Sequence, residues 1–302
     1  MMKTLFNHLI ISLIQLLPRK FTRVFAYKYV AGENTTDVLH VIKTLNIKGF
    51  SVTVDILGEH TEDMKIAKNM RQDYEHLISK IDEQKLDCNL SIKPSHLGMG
   101  ISNECVINNM THVLQKAIEK NNFIRIDMED SSQTDATIDL YRHLKNNYDN
   151  IGIVFQAYLY RTEQDIKSHS NINDFNVRIC KGIYKESPEI AIQGRKKIND
   201  NFLKLLRQLM EQNIYVGIAT HDLTLIKKSY ELIDELKIPY DRFEFQVLYG
   251  VPMSGWLEKH LSNNYKVRIY VPYGKDWHDY SIRRLKENPD IAGYVLRDLF
   301  RK

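Results

Sequence analysis

The 302-residue sequence predicts an α/β fold, a (β/α)8 barrel of the TIM type. Three observations predict it: eight short apolar runs rich in β-branched residues, amphipathic helical segments between them, and a length that suits one barrel with an extension. Neither G-x-G-x-x-G nor the P-loop signature follows the first run. The missing phosphate turn favours a closed barrel over an open doubly wound sheet.

Each strand is predicted from a run bounded by polar or turn-forming residues. In chain order the runs are FSVTVDIL from Phe50, CNLSIKP from Cys88, FIRIDME from Phe123, IGIVFQAYL from Ile151, NVRICKG from Asn176, YVGIATH from Tyr215, FEFQVLYG from Phe243 and KVRIYVPYG from Lys266.

Helices are predicted where apolar residues recur with the helical period. The first follows Thr61, a candidate N-cap, and buries a stripe that ends at Ile81. Further helical patterns cover residues 104–120, 135–146, 188–211 and 223–236. A last helix begins near residue 276.

We expect one domain over residues 1–302, with a helical extension at residues 1–49 and the barrel at 50–302. The apolar stretch from Leu5 to Leu17 is short against the roughly 20 residues of a membrane span, and no small-residue cleavage site follows it. Two alternatives remain open. The stretch packs on the barrel as a helix, or it makes a peripheral membrane contact together with the basic residues that follow it.

The composition excludes several classes of protein. The 42 basic and 38 acidic residues are spread along the chain, which does not indicate nucleic-acid binding. The three cysteines form no C-x-x-C pair and no metal-like cluster, so we expect reduced thiols, a cytoplasmic protein and no metal site.

Polar residues recur where the predicted strands end, which in such barrels is where the active site is built. Lys93, Arg178, Arg283 and Arg284 supply positive charge, whereas the acidic residues are too few and too separated for a paired-carboxylate mechanism. This pattern suits anionic ligands, and both a carboxylate and a pyrophosphate fit it.

Seven of these segments, taken together and in order, resemble the consecutive strand-end motifs of the proline dehydrogenase family. They are KPSHLG, RIDME, QAYLYR, RICKGIYKE, ATHD, EFQVLYG and YVPYG followed by YSIRRLKEN. The resemblance covers about Phe50 to Asn288. It implies a flavoprotein that binds FAD at the mouth of a distorted barrel, with the final helix over the cavity, and oxidises L-proline.

The resemblance also implies residue roles. Arg178 and Asp127 are assigned to catalysis. Asp127 is expected to be the ionised partner of Lys93 or another cation. Residues expected to hold the substrate carboxylate or close over its ring are Lys93, Tyr270, Tyr280, Arg283 and Arg284. Residues expected to line the flavin, besides Arg178, are Met128, Gln156, Lys181, Gly182, Ile183, Thr220, His221 and Glu287.

Two positions depart from the family motifs. Ile183 replaces a small alanine where the chain approaches the cofactor, so it is expected to shift the flavin ring or narrow the pocket. Asp222 stands where asparagine is common, and we expect a smaller effect there.

By resemblance, a hydride passes from proline C5 to flavin N5, and electrons then pass to a membrane quinone at the inner face of the membrane. The product would be Δ1-pyrroline-5-carboxylate, used by a separate dehydrogenase partner. Two other hypotheses stay open: another flavin barrel, similar to methylenetetrahydrofolate reductase, and a non-catalytic barrel that binds an anionic metabolite without FAD.

Overall fold

The computed structural model describes residues 26–58, 60–278 and 280–282. Eight parallel strands pair in sequence order and the first pairs with the last, so the sheet closes into a barrel, and the predicted fold class is confirmed. The strands are β1 (Ser51–Ile56), β2 (Cys88–Ile92), β3 (Ile124–Ile126), β4 (Ile151–Gln156), β5 (Asn176–Cys180), β6 (Tyr215–Ala219), β7 (Phe243–Leu248) and β8 (Val267–Tyr273).

Helices surround the barrel and connect the strands. They are α1 (Thr35–Ile47), α2 (Met64–Glu83), α3 (Asn103–Glu119), α4 (Thr134–Lys145), α5 (Thr162–His169), α6 (Arg195–Glu211), α7 (Leu223–Leu236) and α8 (Trp256–Ser262). Two 3-10 turns, Pro94–Leu97 and Ser131–Gln133, follow β2 and β3.

The apolar core lies between the strands and the helices, and the barrel interior is polar. Ser91 of β2 and Arg178 of β5 hydrogen-bond at 3.2 Å although their strands are not neighbours, so both side chains point inward. Leu90 and Ile92 alternate with Ser91, therefore point outward, and are fully buried in the core that the helices cover. Polar side chains thus lie both at the carboxyl ends of the strands and inside the barrel.

The prediction that Thr61 caps the first barrel helix is wrong by two residues. Asp63 is the N-cap of α2, and its carboxylate accepts hydrogen bonds from the backbone N–H groups of Lys65 (2.7 Å) and Ile66 (3.1 Å). Thr61 instead accepts a bond from the Asp63 N–H at 3.1 Å. Its hydroxyl orders the turn that leads into the helix.

The helix predicted over residues 188–211 begins later, at Arg195. Residues 188–190 form a turn, and Ala191 makes an antiparallel bridge with Leu159. Gly194, with φ +88°, then redirects the chain into α6. The bridge ties the loop after β5 to the loop after β4, so both loops lie at the same end of the barrel.

No helix within the described residues is long and apolar enough to cross a membrane. The apolar stretch from Leu5 to Leu17 lies outside the described residues.

Candidate functional site

The Asp127 carboxylate joins four strands at the carboxyl end of the barrel. It follows β3 directly and accepts hydrogen bonds from Ser91 of β2 (2.6 Å), Arg178 of β5 (2.7 Å) and Tyr270 of β8 (2.7 Å). Only 9% of the residue is exposed. Three donors on one buried carboxylate fix the positions of a cation and a phenol.

The partners of Asp127 determine its ionisation. Burial opposes the charged form, but the charges of Arg178 and Lys93 and the hydrogen bonds from Ser91 and Tyr270 outweigh it and lower the pKa of Asp127. Burial and the nearby carboxylates raise the pKa of Tyr270 well above its usual value. Near neutral pH, Asp127 is therefore an anion and Tyr270 a protonated donor.

Arg178 is held from several sides. Besides Asp127 and Ser91, its Nε–H donates to Oε1 of Gln246, and its guanidinium lies 5.2 Å from the centre of the Tyr270 ring. The residue is only 6% exposed. These contacts leave the cation little freedom, so the barrel presents it at a fixed place.

Lys93, at the end of β2, pairs with Asp55 of β1 at 2.7 Å. We expected Asp127 to orient Lys93 or another cation. In the structure, Asp127 accepts a hydrogen bond from Arg178, whereas the Lys93 ammonium donates to the Asp55 carboxylate. Burial raises the pKa of Asp55; Asp127 adds to this effect and Lys93 partly offsets it. Asp55 was not predicted as a site residue, although a carboxylate within the apolar run FSVTVDIL was a signal.

Met128 and Gln156 lie at the ends of β3 and β4 and are both buried. The amide of Gln156 donates to the backbone carbonyl of Glu129 at 3.2 Å. Its Oε1 atom is buried and accepts no hydrogen bond from the described residues. An unsatisfied buried acceptor at this place suits a ligand that brings an N–H or O–H donor.

The loop after β5 contains Lys181, Gly182 and Ile183. Gly182 has φ +101°, and a Cβ atom there would lie 2.2 Å from the ring of Tyr158, so only glycine fits. Ile183 is 52% exposed. Its side chain is therefore not packed into the barrel interior, and its expected effect on the flavin ring stays a prediction.

Beside this loop, Asp222 collects three donors. Lys181 (2.7 Å), Arg195 (2.9 Å) and Asn199 (3.0 Å) all donate to Oδ2 of Asp222. Burial opposes ionisation, but these hydrogen bonds hold the pKa of Asp222 well below its usual range. The departure at Asp222 is larger than expected, because its carboxylate holds the Lys181 ammonium in an ion pair.

Thr220 and His221, before Asp222, both make structural hydrogen bonds. Thr220 accepts from the Asp222 N–H at 3.1 Å, and Nε2 of His221 accepts from the Leu248 N–H at 2.9 Å. Nε2 of His221 therefore carries no proton. Next to this segment, a cavity of about 590 Å³ is lined by Arg195, Lys196 and Lys228 among others.

We expect Asp222→Asn to retain the cap of α7 and lose the ion pairs. Asp222 also accepts from the Thr224 N–H at 3.0 Å, and asparagine caps helices equally well. The loss of unfolding free energy should be about 1 kcal/mol or less, because Arg195 is 77% exposed. Asp222→Ala should lose about 1 kcal/mol more. Urea unfolding of the two variants measures this difference.

The pH dependence provides the control for Asp222. A lowered folded pKa stabilises the protein above the unfolded value, near 3.8, and this contribution is lost as the pH falls through the folded pKa. The difference in unfolding free energy between wild type and Asp222→Asn should therefore decrease as the pH falls below about 3.8 and towards the folded pKa of Asp222. A difference that stays constant with pH would contradict the ion pairs.

The last described segment carries Tyr280. Its ring is 9% exposed and packs in a small cluster with Ala26, Val30, Leu57 and Trp277. Trp277 also donates to Glu33 at 2.9 Å, which ties this segment to the N-terminal part of the described chain. Arg283, Arg284 and Glu287 lie outside the described residues.

The structure thus brings Lys93, Asp127, Arg178 and Tyr270 together at the mouth. Lys181 and Gly182 lie on a neighbouring part of the rim with Asp222. The mouth combines the paired cations Lys93 and Arg178, each held by a buried carboxylate, with a protonated phenol, so it presents charge and hydrogen-bond donors at fixed positions.

Comparison with known proteins places this geometry in a family. A family model described as "Proline dehydrogenase" matches residues 38–297. The chain is 36% identical to Proline dehydrogenase 2 of Bacillus subtilis (strain 168) over 281 residues, which cover 93% of this chain and 92% of the relative. It is 30% identical to Proline dehydrogenase of Deinococcus radiodurans over 294 residues, covering 95% and 94%.

The bifunctional protein PutA of Escherichia coli (strain K12) is 26% identical, over 91% of this chain and 24% of the relative. A solved structure of PutA from Bdellovibrio bacteriovorus, inactivated by N-propargylglycine, superposes with a TM-score of 0.81 at 26% identity. It covers 88% of this chain and 33% of that chain, so the present chain spans about a third of the solved PutA.

Proposed function

The chain belongs to the proline dehydrogenase family and is an enzyme of proline oxidation, and from that premise we propose that it oxidises L-proline on FAD. The product would be Δ1-pyrroline-5-carboxylate. The observation that carries the proposal is the assembly of Arg178, Asp127 and Tyr270, a fixed cation with its locked partners at the barrel mouth. We also propose that residues 1–302 form one domain.

The residues present fit FAD on two observations. The buried Oε1 of Gln156 lacks a donor among the described residues, and a flavin ring carries an N–H group. The cavity beside this loop is lined by Arg195, Lys196 and Lys228 and by the two carboxylates Asp200 and Asp222, and the excess of positive charge would favour a pyrophosphate there. When bound, FAD would supply the hydride acceptor, with N5 taking the hydride from C5 of proline. Met128, Thr220, His221 and Glu287 would complete its lining.

The protein would contribute binding, orientation and charge. Lys93, Arg283 and Arg284 would hold the proline carboxylate, and Tyr270 and Tyr280 would close over the ring. Arg178 would stabilise negative charge that develops near it, because Asp127 and Gln246 already hold its guanidinium in place. Asp55 would act as a positioning residue by orienting Lys93.

We expect Lys93→Met to raise the KM for proline about 30-fold while the flavin content stays unchanged. The lost charge-assisted hydrogen bond contributes about 2 kcal/mol. Steady-state kinetics with flavin absorbance measure both quantities. Arg283→Met should behave in the same way, and an unchanged KM in either variant would contradict its role as a carboxylate ligand.

The Lys93 variant needs one control, because it leaves Asp55 buried without its cation. Lys93→Met combined with Asp55→Asn removes both charges. If the double variant regains thermal stability but keeps the raised KM, the effect of Lys93 on KM is one of binding.

The electron acceptor and the membrane contact are further parts of the proposal. Electrons would pass to a membrane quinone, and the segment from Leu5 to Leu17 would provide a peripheral contact at the inner, cytoplasmic face of the membrane. The PutA relatives are described as bifunctional, which supports a separate dehydrogenase that consumes the product of this chain. Vesicle binding with and without the apolar segment tests the contact.

Turnover with an artificial acceptor tests the reaction. Mass spectrometry should show a product two hydrogens lighter than proline, and FAD should be released from the denatured protein. Turnover that requires NADH in place of proline would instead support a reductase similar to methylenetetrahydrofolate reductase. A purified protein that holds no flavin would support a non-catalytic barrel.

A further inference from the structure

A chain of hydrogen bonds runs inside the barrel from Arg178 towards the amino ends of β7 and β8. Nε of Arg178 donates to Oε1 of Gln246, Nε2 of Gln246 donates to Oε1 of Glu244 at 2.6 Å, and Nε of Arg268 donates to the same carboxylate oxygen at 2.8 Å. Gln246, Glu244 and Arg268 are 4%, 2% and 6% exposed. The cation at the mouth is therefore connected to a buried ion pair, Glu244 with Arg268, that has no part in the proposed function.

The chemistry of its two partners fixes the orientation of the Gln246 amide. A guanidinium only donates hydrogen bonds and a carboxylate only accepts them, so the amide oxygen must face Arg178 and the amide nitrogen must face Glu244. Although burial opposes ionisation, the charges of Arg268 and Lys266 lower the pKa of Glu244 to about 2, so Glu244 is an anion near neutral pH. A neutral amide side chain in place of Glu244 would tolerate either orientation of Gln246.

The bond to Gln246 completes the positioning of Arg178. Nη1 of Arg178 donates to both Asp127 (2.7 Å) and Ser91 (3.2 Å), and a planar group held at one nitrogen alone can still pivot about it. The second attachment, at Nε, fixes the plane. Nη2 has no hydrogen-bond acceptor among the residues that the structure describes, so it is the nitrogen left to donate to a ligand. Its direction depends on Gln246.

Gly217 provides the space for this chain. Arg178 lies on β5 and Gln246 on β7, and β6 runs between them, with Gly217 paired to Arg178 on one side and to Glu244 on the other. A Cβ atom at Gly217 would lie 2.5 Å from Nε2 of Gln246 and 2.9 Å from its Cδ. The missing side chain therefore leaves the room in which the amide reaches across β6.

We propose that Glu244 is a positioning residue for proline oxidation. It fixes the Gln246 amide and, through that amide, the direction in which Arg178 presents Nη2 at the mouth. The proposal rests on the proposed function, because it concerns the cation that would stabilise negative charge beside the flavin. Glu244 is the second residue of β7 and lies near the amino end of the strand, so it acts on the site through Gln246 alone.

Gly217→Ala tests the chain without removing any charge. Its Cβ atom displaces the Gln246 amide, so we expect kcat for proline to fall about tenfold or more. The KM for proline should change less than about twofold, because Lys93 is not altered. The flavin midpoint potential should become more negative, since a displaced cation stabilises the reduced form less, and the flavin content should not change. Unchanged kcat and midpoint potential would overturn the proposal.

Ile218→Val is the matched control for Gly217→Ala. Ile218 follows Gly217, is fully buried and packs in the core outside the barrel. The substitution should lower thermal stability while kcat and the midpoint potential stay at their wild-type values. Equal losses of kcat in the two variants would make the effect one of destabilisation and would overturn the proposal.

A double-mutant cycle shows whether Glu244 acts through Gln246. Glu244→Gln combined with Arg268→Met removes both members of the buried ion pair, so neither is left without its partner. This charge-free variant should lose as much kcat as Gln246→Met does, and adding Gln246→Met to it should lower kcat by less than about twofold more. Losses that multiply would show that Glu244 acts independently of Gln246 and would overturn the proposal.

Glu244→Asp keeps the proposal testable if the charge-free variant does not fold. Aspartate retains the charge opposite Arg268 but is one methylene shorter, so its carboxylate withdraws from the Gln246 amide and kcat should fall. Wild-type kcat and midpoint potential in Glu244→Asp would overturn the proposal. Wild-type protein without proline turnover would refute the proposed function and the role of Glu244 together, whereas turnover in wild type with unchanged variants overturns the role of Glu244 alone.

Discussion

Asp127→Asn should lower proline turnover by at least about a hundredfold and unfolding free energy by about 3–5 kcal/mol. The substitution keeps the shape of the side chain but removes the charge that faces Arg178, a cation only 6% exposed. Loss of one preorganised charge or donor from an active site costs about a hundredfold to a thousandfold in turnover. Steady-state kinetics and urea unfolding measure the two effects.

The sign of the pH dependence follows from the lowered pKa of Asp127. Its stabilising contribution is present above the ordinary value of 3.8 and is lost as the pH falls through the folded pKa. The free energies of unfolding of wild type and Asp127→Asn should therefore converge as the pH falls below the folded pKa of Asp127. Asp139→Asn, whose side chain is 75% exposed, serves as the matched control and should change neither quantity. Full turnover in Asp127→Asn would refute the role given to the carboxylate.

Gly182→Ala should abolish flavin retention and destabilise the protein by about 2–4 kcal/mol. Alanine is strained at φ +101°, and its Cβ would lie 2.2 Å from the buried ring of Tyr158. Relief of that contact should displace Lys181 and Ile183, which flank Gly182 within the loop. Flavin absorbance per protein and thermal unfolding give the readouts.

Gly194 offers a matched control for Gly182. It also has a positive φ, +88°, but a Cβ there would meet nothing within 4 Å. Gly194→Ala should therefore show the backbone strain alone, about 1 kcal/mol, and retain the flavin. Adding Tyr158→Ala to Gly182→Ala should recover part of the flavin binding. Equal losses in the two alanine variants would show that the contact with Tyr158 has no effect.

Apolar periodicity was sufficient to predict the strands, because each of the eight lies within one predicted run, and their number together with the missing phosphate turn predicted that the sheet closes. The helical period of apolar residues did not predict where each helix begins. The apolar pattern before Arg195 looks helical, yet Ala191 pairs with Leu159 and Gly194 breaks the helix with its positive φ. Such tertiary pairing overrides local propensity and is not visible in a single segment.

Positions in the site were more predictable than contacts. Lys93 and Asp127 follow strands, Arg178 lies in one, and the ends of parallel strands converge. Which carboxylate meets which cation depends on the register of the closed barrel. Tyr270 lies 143 residues from Asp127 in sequence, and no local pattern connects them.

The polar interior was not predicted at all. Asp55, Glu244 and Arg268 lie within strands, where an alternating polar residue ordinarily indicates a solvent-facing side. Only closure of the barrel turns that side inward. The roles of Arg283, Arg284 and Glu287 outside the described residues stay predictions.

The absorbance spectrum of the purified protein under anaerobic conditions, before and after addition of L-proline, shows whether the protein oxidises L-proline on a bound flavin. We expect an oxidised flavin spectrum that bleaches on addition of proline, with one FAD released per chain after denaturation. An oxidised spectrum that persists in millimolar proline, with the flavin still bound, would contradict it.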